Sequence, residues 1–99
     1  MTVIDIPDEL AVEVTADDIR LGKPSSNCKC AVALALNRIP GVSSAHVEFG
    51  GATVTYTLAG VTYDLAFNLP EQASDFITAF DQEEPVEPFT FTAQLSEWS

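Results

Sequence analysis

The chain has 99 residues, with 15 carboxylates set against four bases for a formal net charge of −11. That length supports a single hydrophobic core, and a hydrophobic share of 46% is enough to fill it, which excludes a chain disordered throughout. The acidic balance repels phosphates and excludes general DNA or RNA binding, leaving only a local basic patch as an exception.

The opening MTVIDIPDELAVEV has no basic start and is interrupted by Pro7, Asp8 and Glu9, so no secretory leader is expected. The longest apolar run, residues 30–36, is far shorter than the ~20 residues of a membrane helix. A cytoplasmic protein without membrane contact is the default.

Val3, Ile4 and Ile6 could begin a strand that Pro7-Asp8 breaks. Leu10, Val12 and Val14 then alternate with Ala11 and Glu13 as a half-buried strand. Thr15 is placed to cap a short helix over 16–21, with Asp18 in the position of an imperfect capping box. Asp17 and Asp18 suit the positive end of that helix, and Gly22 is a natural residue to end it.

The segment that organises the chain follows. Residues 15–39 hold all four bases, Arg20, Lys23, Lys29 and Arg38. Within it, residues 27–38 predict a helix capped by Ser26 or Asn27 and apolar on nearly every side, hence buried. Pro40-Gly41 must stop it. A meander is expected over 43–67. Ala45, Val47 and Phe49 oppose Ser44, His46 and Glu48, then Gly50-Gly51 turns the chain. Val54, Tyr56 and Leu58 alternate with Thr53, Thr55 and Thr57. After Ala59-Gly60, Val61, Tyr63, Leu65 and Phe67 alternate with Thr62, Asp64 and Ala66. A second main helix over 70–81, with Pro70 in its first turn, carries Ala73, Phe76, Ile77 and Phe80 at core spacing. The acidic connector DQEEPVEP leads to a strand over 89–95, and Trp98 either docks or stays exposed. The reading is one α+β domain: a small antiparallel sheet, made of a three-stranded meander plus terminal strands, with two main helices packed on one face.

The basic stretch before the buried helix is the best candidate site. Arg20, Lys23, Ser25, Ser26, Asn27 and Lys29 combine cations, hydroxyls and a helix start, which suits an anion. GKPSS is not a Walker loop. The bland alternative is pairing of these bases with neighbouring carboxylates. Cys28 and Cys30 lack the further ligands zinc needs, since only His46 could be added. They read as buried structural thiols, with Cys28, near a helix N-terminus, the more reactive. An internal disulfide between them is not expected. His46 sits on the polar face beside Ser44 and Glu48, with Thr55 or Asp64 as a further neighbour and without a nucleophile turn, so no catalytic residue is expected and the protein is read as a non-enzyme without metal or cofactor. Asp81, Glu83, Glu84 and Glu87 form an acidic set able to mimic phosphates toward a basic partner; otherwise they are a solvated loop.

Asp18-Ile19, Gly22 and Cys28-Lys29-Cys30 running into an Ala/Leu helix, then Phe76 to Asp81 and Val86 to Phe91, resemble a group of small uncharacterised proteins of actinobacteria and their phages. Relatives in that group often carry Pro where this chain has Ala31. The resemblance implies a phage-encoded accessory protein that acts by binding inside the bacterial host, in the manner of counter-defence proteins. With the basic loop it gives the expected function: sequestration of an anionic, nucleotide-like small molecule, in a site a second subunit of a homo-oligomer could complete. The alternative is an acidic decoy for a basic host protein.

Overall fold

A computed structural model describes residues 8–48 and 50–98, with the side chains of Glu97 and Trp98 excepted. The strand start expected at Val3, Ile4 and Ile6, the facing of Phe49 and the docking of Trp98 lie outside the described residues and side chains. The chain order is β1 (Glu9–Val14), α1 (Ala16–Leu21), α2 (Ala31–Asn37), β2 (Val42–Glu48), β3 (Gly51–Leu58), β4 (Val61–Asn68), α3 (Glu71–Asp81) and β5 (Phe89–Trp98).

Period-two alternation sets the sheet. On one face, Val54 pairs with Leu65, Ala52 with Phe67 and Tyr56 with Tyr63 across the β3–β4 hairpin. Its two-residue loop holds Ala59 and Gly60 at φ 51° and 79°, the left-handed pair a tight hairpin requires. β2 adds Ala45 opposite Val54 and Val47 opposite Ala52. The five strands lie antiparallel in the order β1-β5-β4-β3-β2, so β5 is inserted between the first strand and the meander. Val12 meets Phe91 and Leu10 meets Ala93 on the same apolar face. Two bulges bend the ladder, and each presents a serine whose hydroxyl donates across to a carbonyl: Ser43 Oγ to Thr55 O (3.2 Å) and Ser96 Oγ to Ala66 O (3.1 Å).

The apolar face curls round α2, which touches both edge strands, β1 and β2. Ala31, Val32, Ala33, Ala35 and Leu36 are buried, as an all-apolar helix must be. The helix is shorter than its composition suggests. It begins at Ala31 rather than residue 27, and its N-cap is Cys30, whose sulfur accepts from the Ala33 amide at 3.5 Å, rather than Ser26 or Asn27. The four preceding residues form a loop, because Ser26 closes its own turn: its carbonyl takes the Cys30 amide and its hydroxyl the Lys29 amide. α3 lays Ala73, Phe76 and Phe80 inward. Phe76 stands 4.7 Å from Phe89, which stands 5.4 Å from Phe91, so an aromatic row joins α3 to β5. Pro70 is the N-cap of α3, one residue before its first turn.

α1 carries a complete capping box in spite of aspartate at the third position: Thr15 Oγ1 accepts the Asp18 amide and Asp18 Oδ2 the Thr15 amide. Asp18 is buried, and its other oxygen pairs with Arg38 Nη1 just beyond α2. Arg38 Nη2 also donates to Glu13 O at 2.8 Å, so one guanidinium ties β1, α1 and α2 together. Gly22 ends α1 as expected, in an extended conformation with φ −68°. It is needed for proximity. A Cβ there would stand 2.7 Å from both Ala31 N and Asp18 O.

Candidate functional site

Residues 23–30 form a closed loop between α1 and α2. The Lys23 amide donates to Lys29 O at 2.8 Å, which brings the two lysine backbones side by side at its neck. Ser25, at φ 61°, turns its amide onto Asp81 Oδ1 at 2.8 Å, pinning the loop to the end of α3. Asn27 O accepts from the Val47 amide at 2.8 Å, so the loop also caps the open edge of β2.

The predicted basic residues divide. Arg20 is spent on Asp17, an exposed pair at 2.9 Å, and Arg38 on buried Asp18. Lys23 and Lys29 are exposed and make no ion pair among the described residues. Ser26 is committed to its own turn, whereas Asn27 faces outward toward β2. The Ala33 amide, in the first turn of α2, is turned to Cys30. Of the acidic set, Asp81 is engaged with Ser25, while Glu83, Glu84 and Glu87 are exposed beyond α3. The acidic and basic candidate regions therefore adjoin through the Asp81–Ser25 contact.

Beside the loop lies a shallow depression of about 580 Å³ on the polar face of β2 and β3. Ser43, Ser44, Thr53 and Thr55 supply hydroxyls to it, Asn37 an amide at the end of α2, and Cys28 and His46 the remaining polar wall. Sequence separation hides this grouping: Cys28 reaches the sheet because the loop crosses the edge of β2, and Asn37 because α2 packs against that strand.

The two thiols differ sharply. Cys30 is buried, and burial raises its thiol above the ordinary value of 9.0, with a smaller contribution from nearby Asp81. Cys28 is exposed, contrary to its reading as a buried structural thiol, and both are free. Its sulfur stands 3.6 Å from His46 Nδ1. The other ring nitrogen, Nε2, is 3.4 Å from the Asn27 carboxamide and 3.4 Å from Glu48 Oε1. Among the described residues, no three His, Cys, Asp or Glu side chains converge as a metal site, and no helix is long and apolar enough to cross a membrane. Compared with known proteins, the chain matches no family model, no curated sequence and no solved structure.

Proposed function

We propose that this chain is a binding protein for an anionic, nucleotide-like small molecule, with Lys23 and Lys29 holding the anion. One observation carries the reading. In a chain of net charge −11, two lysines are fastened side by side by a backbone hydrogen bond and neither has a carboxylate partner among the described residues. A phosphate there gains both cations, and the sugar and base extend over Cys28 onto the hydroxyls of Ser44, Thr53 and Thr55. Ser25 and Ser26 support the loop, while Arg20 is held on Asp17; α2 contributes burial rather than its amides. The phage accessory role suggested by the resemblance fits this reading, with capture of a host signalling nucleotide as its concrete form.

Isothermal titration calorimetry against nucleoside phosphates and cyclic dinucleotides tests it. The variant Lys23→Gln/Lys29→Gln should lose at least about tenfold in affinity at low salt while keeping its fold, since surface cations act chiefly through charge. Undiminished binding by that variant refutes the reading. The decoy alternative draws on Glu83, Glu84 and Glu87, exposed and without basic partners among the described residues. It requires capture of a basic protein that weakens steeply with salt; salt-independent capture removes it.

A further inference from the structure

We propose that Cys28 is a His46-assisted nucleophilic thiol, built to exchange with a low-molecular-weight disulfide and so carry a reversible mixed disulfide. The geometry is that of a nucleophile, a base and an orienting group. Cys28 Sγ lies 3.6 Å from His46 Nδ1, and Glu48 Oε1 lies 3.4 Å from Nε2. A proton on Nε2, the nitrogen that faces Glu48, leaves the Nδ1 lone pair facing the thiol. Asn27 Nδ2 stands 3.4 Å from Nε2, and a flip of that side chain turns its carboxamide oxygen to the same N–H. The Asn27 O–Val47 N bond holds the loop against β2, which keeps sulfur and ring in register. Both groups line one open depression, so a small reagent reaches the sulfur from solvent.

In the exchange, His46 Nδ1 takes the thiol proton and the Cys28 thiolate attacks one sulfur of the disulfide. A new S–S bond forms as the old one breaks. The departing thiolate recovers the proton from His46; the Cys28 sulfur rises to the disulfide level as the leaving sulfur falls to the thiol level, so the reagent disulfide is the oxidant. Cys30, two residues away, is the built-in contrast: it is buried among the core side chains, and its sulfur faces the Ala33 amide.

The test uses the intact protein and bis(2-hydroxyethyl) disulfide, a neutral probe that the lysine pair does not attract. Trypsin cuts after Lys29 and separates the two cysteines, so mass spectrometry reads each one's modification rate. Cys28 should react at least about a hundredfold faster than Cys30. His46→Gln should slow Cys28 about tenfold, and His46→Gly should recover with added imidazole. Glu48→Gln, an exposed change that leaves the ring in place, should slow it by a smaller factor. Continued protection of Cys30 reports that each variant is folded. Equal rates for Cys28 in the wild type and a folded His46→Gln variant would overturn the proposal, as would equal rates for the two cysteines.

Discussion

Replacing Arg38 with methionine removes the cation that neutralises buried Asp18 while keeping an apolar stem of similar length. Asp18 is 4% exposed and Arg38's side chain 48% exposed, so water reaches the guanidinium and barely reaches the carboxylate. Stranding a fully buried charge costs about 3–5 kcal/mol. Here the carboxylate keeps the Thr15 amide and the favourable end of α1, and the half-exposed cation was already partly screened. The expected loss is about 2 kcal/mol, which also includes the bond to Glu13 O. For a domain of this size that lowers Tm by about 8–16 °C. Urea denaturation followed by circular dichroism, repeated for Asp18→Asn and the double variant, measures it. The two single losses should overlap, with a coupling of about 1–2 kcal/mol. Strict additivity, or an Arg38→Met protein within about 0.5 kcal/mol of wild type, would refute the argument that this guanidinium holds three elements together.

Gly22→Ala should destabilise by about 3 kcal/mol or prevent folding, because the new methyl meets backbone on both sides and neither can yield; a denaturation midpoint near wild type contradicts this. Ala59→Asn should stabilise by about 0.5–1 kcal/mol, since asparagine tolerates the positive φ that alanine endures at the hairpin tip; thermal melts decide. Cys30 favours its proton more in the folded than in the unfolded chain. Its contribution is therefore complete below pH 9 and is lost as pH rises above that value. Stability curves of wild type and Cys30→Ala should diverge in slope there, and parallel curves would count against it. Asp81→Asn keeps an acceptor for the Ser25 amide but removes a negative charge beside the lysine loop. Nucleotide affinity should rise severalfold in calorimetry, and a fall would speak against an anion at this loop.

The strands and both outer helices were legible because alternation, capping and core spacing act locally. Val54, Tyr56 and Leu58 declare a face without help from the rest of the chain. The start of α2 was not legible. Nothing from Asn27 to Cys30 breaks a helix outright, yet Val47, distant in sequence, recruits the Asn27 carbonyl and Ser26 closes a competing turn. Gly22 ends α1 as its place in the sequence indicates, but the crowding that demands glycine there, between α1 and α2, is a tertiary fact. Of the site, the basic loop was visible as a cluster in sequence, but which cations remain unpaired depends on Asp17 and Asp18. The Cys28–His46 contact spans 18 residues and could not be read at all; it follows from where the loop crosses β2. The insertion of β5 carries no local signal either, because any of the apolar strands could have paired with β1.

That insertion governs how the molecule comes together in time. The helices and the β2–β4 meander join neighbours in sequence and can organise early. Among the described residues β1 has only β5 as a strand partner, and their pairing brings Glu9 to Gln94, 85 positions apart. Closing so long a loop costs on the order of 4 kcal/mol in chain entropy before any contact rewards it. Until β5 arrives, β4 presents an unpaired edge and the apolar side chains of β1 stay without cover. The slow event in refolding is therefore the capture of a single strand between two waiting ones, and a partly folded chain offers that slot to the β5 of another copy.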